Sequence, residues 1–221
     1  MYTLEQIINH TKQAISNAYQ GFSNLKSEHM KLEGMTGYKT RHLYNNLCSL
    51  KHANYCEVGT YKGSSFISAM YNNPTCFGYC IDDWTEFEQP REEACKLIKH
   101  HLGENATNYK IIDKDCFQVD NLDITKPIDI YMYDAAHTYE VHKKAITHYK
   151  QFFAKYVIIL IDDWTCDYMQ VQPGTFDGIK EAGLKVHFQH EIGLVNTNFQ
   201  HVGGDTFWNG CGVFVCERTD I

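Results

Sequence analysis

Asn54-Tyr-Cys-Glu57-Val-Gly59-Thr-Tyr61-Lys-Gly63-Ser-Ser65 is the stretch whose reading decides the fold. Tyr55–Val58 reads as a short strand, and two glycines four apart then turn the chain tightly. Ser65–Tyr71 reads as a helix that stops at Asn73-Pro74, because the residue before a proline is pushed out of the helical region. A strand, a glycine turn and a helix make the opening unit of a parallel α/β sheet.

Downstream, the alternation continues. Strands are expected at Cys76–Ile81, Tyr109–Ile112, Ile128–Tyr133 and Tyr156–Ile161. Helices are expected at Arg91–Leu102, with Gly103 as its stop, and at Tyr139–Phe153. The unbroken aliphatic run Val157–Ile161 suits a parallel strand buried on both faces and is too short to span a bilayer. The tail departs from the alternation: Leu184–Ile192 and Gly212–Glu217 are strand-like, and the loop-like residues between them suggest an antiparallel pair at one sheet edge. Upstream, Thr3 and Gln6 form a capping box for a helix carrying Leu4, Ile7, Ile8 and Ile15, and a second helix is expected over Thr40–Ser49. One domain is expected, with 1–50 as a helical cap and 54–221 as the α/β core, since so short a preface could hardly fold alone.

Composition narrows the function. The chain has 221 residues, 43% of them hydrophobic and 21% charged, ordinary for a globular enzyme. Its net charge of −7, with no basic run, argues against a nucleic-acid partner. Nine cysteines without a CxxC pair argue against a zinc site and suit reduced thiols in a cytoplasmic setting. The N-terminus lacks the pattern of a signal peptide, and no membrane partner is expected.

In an open α/β sheet, ligands bind beyond the carboxyl ends of the strands. The residues there are Glu57-Val-Gly59 after the first strand, Asp82-Asp83-Trp84 after the second, Asp115-Cys116 after the third, Asp134-Ala-Ala-His137-Thr-Tyr139 after the fourth and Asp162-Asp163-Trp164 after the fifth. A dinucleotide fingerprint would need glycine where Tyr61 and Ser64 stand, which discounts a nicotinamide cofactor. Any single carboxylate there reads more readily as solvated loop, and the Gly-x-x-x-Gly turn equally well as plain helix entry. The whole row at one edge is hard to assign to chance.

Glu-x-Gly-x-x-x-Gly-x-Ser, the acid after the second strand and Asp-x-x-His-x-Tyr followed by Asp-Asp-Trp resemble the class I S-adenosylmethionine-dependent methyltransferases, in particular the metal-dependent O-methyltransferases of catechols and macrolide sugars. The resemblance implies a Rossmann-like, doubly wound, mostly parallel seven-stranded sheet with an antiparallel edge strand and N-terminal helices. It implies that Glu57, Gly59 and Gly63 cradle the methionine part of the cofactor, that Asp82 binds the ribose, and that Asp115 and Cys116 contact the adenine. Tyr61, Ser65 and Asp134 complete the expected cofactor set. Asp134, Asp162 and Asp163 match ligands for magnesium or another divalent cation. His137 stands where catechol-type relatives carry a lysine base, and Asp163 where they carry asparagine, so a sugar or glycan hydroxyl is the expected acceptor and His137 the expected base. Histidine can take a proton near neutral pH, and a cation on the hydroxyl would ease its loss.

Catechol or phenol methylation, a cofactor-binding module without activity and a different metal enzyme stand as alternatives. His142 and His148 read as surface or packing residues, Trp164 and Trp208-Asn209-Gly210 as substrate walls or packing, and Met35 as part of a lid. A small molecule or glycan is the expected partner. A second copy, meeting the first through the N-terminal helices, and a glycosyltransferase are further candidates.

Overall fold

The computed structural model describes residues 2–166, 169–193 and 206–221. Seven strands form one sheet in the order β3-β2-β1-β4-β5-β7-β6. They are β1 (Asn54–Val58), β2 (Phe77–Asp82), β3 (Tyr109–Asp113), β4 (Ile128–Tyr133), β5 (Phe153–Asp162), β6 (Leu184–Ile192) and β7 (Cys211–Arg218). The first five run parallel, and β7 returns antiparallel between β5 and β6. The expected fold class is thus the observed one.

Side-chain alternation along the strands divides the core into two layers. In β5, Ile158 and Leu160 join the cluster that includes Ile7 and Ile15 of α1 (Leu4–Tyr19), Leu43 and Leu47 of α3 (Tyr38–Cys48), Phe66 of α4 (Ser64–Met70) and Ile98 of α5 (Arg91–Leu102). Val157, Ile159 and Ile161 face the opposite cluster, with Ala145 and Ile146 of α6 (Tyr139–Tyr149) and Ile179 of α7 (Val171–Glu181). A short helix, α2 (Ser27–Met30), interrupts the polar stretch before α3. The Thr3–Gln6 capping box opens α1 as expected. The expected helix Tyr139–Phe153 ends earlier, passing through a 3-10 turn at Lys150–Phe152 into a β5 that starts at Phe153.

Helix α7 has no counterpart in the sequence expectations. Its segment, Val-Gln-Pro-Gly-Thr-Phe-Asp-Gly-Ile-Lys-Glu, carries a proline and two glycines that read as breakers. Pro173 is tolerated because it sits in the first turn, where amide groups lack intrahelical partners anyway. Gly174 and Gly178 are packing surfaces: a Cβ at the first would lie 2.4 Å from the Tyr139 carbonyl oxygen, and one at the second 2.9 Å from that of Lys143. Here two helix backbones meet at close range.

Among the described residues no helix is long and apolar enough to cross a membrane. A groove of about 980 Å³ lies at the amino-terminal edge of the sheet, bordered by Leu50, Asn54, Lys126, Asp129 and Phe153. The row of acids occupies the opposite edge.

Candidate active site

Strand register aligns the acids. Val58 pairs with Ile81 and Tyr133, and Tyr133 with Ile161, so Asp82, Gly59, Asp134 and Asp162 follow one another along the carboxyl edge. Backbone bonds from Gly59 N to Ile81 O and from Asp134 N to Val58 O, both 2.9 Å, extend the ladder into the loops. Gly59 has φ +90°, and a Cβ there would fall 1.8 Å from the Asp134 carbonyl oxygen. Its glycine is therefore demanded by the crossing of the β1 and β4 exits, whatever a cofactor requires.

Asp82 fastens the glycine turn. Its Oδ2 accepts from the amides of Thr60 and Tyr61, each at 2.8 Å, and its Oδ1 accepts from Trp84 N at 2.7 Å. Three of roughly four acceptor positions on a carboxylate are thereby used, which leaves one for an incoming hydroxyl. Trp84 is buried and donates Nε1 to Tyr61 O, so it packs behind the turn. The Tyr61 hydroxyl turns to Glu88 at 2.6 Å.

Glu57 is fully buried beneath this turn. It accepts from the hydroxyls of Tyr55 at 2.6 Å and Ser65 at 2.9 Å, and burial pushes its carboxyl up to about 8 against those two bonds. Ser65 thus serves Glu57, and Tyr55 is a partner that sequence reasoning missed. Asp115 is exposed and caps the turn at Cys116–Gln118 through Phe117 N, while burial raises the half-buried Cys116 thiol to about 12.

At the centre stands His137. Its Nε2 lies 3.7 Å from Asp134 Oδ1 and 3.4 Å from Asp163 Oδ2. Its Nδ1 is buried without a hydrogen-bond partner among the described residues, so the exposed part of the ring presents Nε2. Asp163 has φ +53°, the break by which two consecutive aspartates escape strand alternation. Its Oδ1 accepts from Asn209 Nδ2 at 2.7 Å, which docks the tail loop onto the site. Asn209 also takes Thr165 N and Oγ1 on its carbonyl oxygen. Tyr61, Trp84, Asp163 and Trp208 all hold positive φ along this edge, the kind of backbone strain that gathers at functional sites.

The expected metal cage is not supported. Asp134, Asp162 and Asp163 are neighbours, yet among the described residues no three His, Cys, Asp or Glu side chains group so as to hold a metal ion. Two physical reasons are visible. The His137 ring nitrogen lies close to both Asp134 and Asp163, and Asp163 is already tied to Asn209. Asp162 is buried, is pushed well above the carboxylate range by that burial and by the charges of Asp134 and Asp163, and hydrogen-bonds to Asp134. Burial raises Asp134 as well, to about 6, against the opposing pull of His137. The residues as arranged do not fit a divalent cation, and no step below passes through one.

A cationic cofactor fits better. Asp82, Asp134 and Asp163 give the edge a negative field, and Asp162 Oδ1 is buried without a hydrogen-bond partner among the described residues. The N-terminal segment closes over the turn. Lys62 pairs with Glu33 at 2.5 Å, and a Cβ on Gly34 would strike the Ser64 hydroxyl. Lys39 N donates to Thr206 O at 3.0 Å, and a Cβ on Gly37 would meet that same oxygen, so the preface and the tail loop are joined above the sheet edge. Met35 is exposed there. Trp164, expected as substrate wall or packing, is core: it is buried against Gly212 and Phe214 and donates Nε1 to Glu191. Most of the tail loop lies outside the described residues.

A family model described as a methyltransferase domain matches residues 56–164, from β1 to the exit of β5. With the fold, this match marks residues 56–164, about half of the chain, as a methyltransferase domain. No curated protein matches the chain by sequence. Solved structures do resemble it in fold. A precorrin-6y C5,15-methyltransferase from Geobacter metallireducens superposes with a TM-score of 0.57 at 12% identity, covering 89% of this chain and 98% of that one. A candidate O-methyltransferase from Klebsiella pneumoniae gives 0.54 at 11%, covering 95% and 90%. SMU.776, a candidate methyltransferase solved with S-adenosylhomocysteine, gives 0.52 at 11%, covering 81% and 49%. Their names assign different acceptors, so at these identities the likeness speaks for the fold alone.

Proposed function

We propose that the chain transfers the methyl group of S-adenosylmethionine to a hydroxyl of a sugar or glycan, with His137 taking the hydroxyl proton. The observation that carries the reading is the position of His137 Nε2 beside both Asp134 and Asp163, at 3.7 and 3.4 Å. The cofactor supplies a methyl on a positively charged sulfur, and what the chain must add is aim and proton removal. With the ring proton on the buried Nδ1, Nε2 is free to accept the hydroxyl proton. The imidazolium so formed lies between two carboxylates, which stabilise it as charge develops. Glu57, Gly59 and Gly63 form the turn for the methionine portion, and Asp82 keeps one acceptor position for the ribose. Asp115 and Cys116 lie at the adenine end.

Charge supports a neutral alcohol over a phenol. A phenolate would enter an edge already occupied by Asp134, Asp163 and Asp82, and like charges disfavour it. A sugar hydroxyl stays neutral until its proton moves directly to His137. Cofactor binding is tested by calorimetric titration of S-adenosylhomocysteine, where micromolar affinity weakened by Asp82→Ala is expected. Acceptor and mechanism are tested by labelled methyl transfer to a panel of sugars, nucleotide sugars and phenols, with and without a chelator. Transfer to a sugar that survives chelation is expected. Transfer confined to vicinal phenols would overturn the acceptor, and activity lost to the chelator and restored by magnesium would reinstate the aspartates as ligands.

A further inference from the structure

His142 sits on α6, one turn beyond the His137 loop, and it is fully buried. Neither of its ring nitrogens has a hydrogen-bond partner among the described residues. Such burial costs free energy that a leucine or methionine in the same space would not incur. Packing alone gives no reason for an imidazole here.

Its neighbours suggest one. The His142 ring stacks on His137, with centroids 5.7 Å apart and planes 29° apart, and it also meets Tyr133 edge-on at 5.1 Å. Tyr133 in turn donates its hydroxyl to Ala136 O at 3.2 Å, holding the loop that carries His137. From α7, a Cβ on Gly174 would lie 3.1 Å from the His142 Cβ, so the slot is closed on that flank too. A proton-transferring histidine is ordinarily aimed by a hydrogen bond on its second nitrogen. In His137 that nitrogen, Nδ1, has none among the described residues.

We propose that His142 is the positioning residue for His137: its flat ring, clamped between Tyr133 and α7, supplies through stacking the orientation that a hydrogen bond supplies elsewhere, and so keeps Nε2 turned toward Asp134 and Asp163. A five-membered ring is flat enough to stack and small enough for the slot that Gly174 bounds. Burial holds its own pKa near 3, so the pair does not become two adjacent cations. The proposal rests on the reading of His137 as proton acceptor.

The test follows the His137 ring by NMR in protein labelled at histidine, saturated with S-adenosylhomocysteine, with the signal assigned through His137→Gln. In the native chain, the ring-current-shifted His137 carbon-bound protons should show contacts to His142 and Tyr133 and a single orientation. His142→Leu should fold with unchanged or raised Tm, yet lose that shift and show averaged His137 signals. His142→Phe, which restores a flat ring, should recover the single orientation. If the leucine variant does not fold, His142→Met carries the same comparison. An unmoved His137 signature in a folded leucine or methionine variant would overturn the proposal. The base reading fails separately, if His137→Gln still transfers methyl groups.

Discussion

His137 Nε2 approaches Asp163 Oδ2 to 3.4 Å, and the opposite oxygen of Asp163 is held by Asn209 at 2.7 Å. A residue of the tail loop thereby fixes the carboxylate that faces the proposed base. The relationship separates two effects that a single deletion would mix. Asp163→Asn keeps an oxygen for Asn209 and removes the charge, so kcat should fall by roughly 10²-fold while Tm changes little. Asn209→Ala keeps the charge and removes the tether, with about a tenfold loss expected. Labelled methyl transfer at saturating cofactor, with the acceptor found in the panel, measures both. Equal activity of Asp163→Asn and the native chain would remove Asp163 from the mechanism.

Stability should depend on pH through Glu57. Its carboxyl rises from 4.5 to about 8 on burial, so between those values the folded chain holds a proton that the unfolded chain has released. Stability conferred by neutral Glu57 is therefore complete below about 4.5 and is lost as pH climbs through 8. Each pH unit in that window weakens folding by at most about 1.4 kcal/mol. Glu57→Gln cannot ionise and should flatten this part of the profile. Urea melts at intervals from pH 5 to about 8.5 compare the two slopes, and parallel curves would refute the assignment.

Much of this architecture was legible because period and punctuation agree. The strand Ile128–Tyr133 and the helix Arg91–Leu102 occupy the expected bounds. Helix α7 was not legible, since Pro173 and Gly174 act locally as breakers and their tolerance depends on a first-turn position and a neighbouring backbone. At the site, sequence located the acids after β1, β2, β4 and β5 but not their partners. Gly59 answers to the Asp134 backbone, Ser65 to Glu57 and Asp82 to the turn amides. Each pairing joins residues on different elements, and no local pattern encodes it. The aspartate trio shows the same limit: closeness in sequence and at a strand end did not decide whether the carboxylates meet a cation or an imidazole.

The α6–α7 contact should be intolerant of a single methyl. Gly174→Ala would place its Cβ 2.4 Å from the Tyr139 carbonyl oxygen and 3.1 Å from the His142 Cβ. Separating the helices to relieve this is expected to cost about 1–3 kcal/mol. The exposed substitution Glu140→Ala on the facing helix α6 should stay within about 0.5 kcal/mol and serves as control. Thermal melts read the difference, and a Gly174→Ala variant as stable as the native chain would mean that the helices meet less closely.

The N-terminal cap should depend on Arg41. This arginine is buried, donates Nη1 to His29 O at 2.6 Å and Nη2 to Leu32 O at 2.8 Å, and is drawn down to about 10 by burial. It is thus the internal tie of the 29–37 segment, whose Gly34 packs on Ser64 at the start of α4. Arg41→Met fills the space but leaves two carbonyls without their donor, a loss on the order of 3 kcal/mol. That loss should be local, because α3 keeps Leu43 and Leu47 in the core. Amide hydrogen exchange should therefore accelerate over residues 29–37 while β1, β4 and β5 stay protected. S-adenosylhomocysteine affinity should fall in parallel, since the segment closes over the glycine turn. Faster exchange with undiminished affinity would show that the cap steadies the fold without taking part in binding.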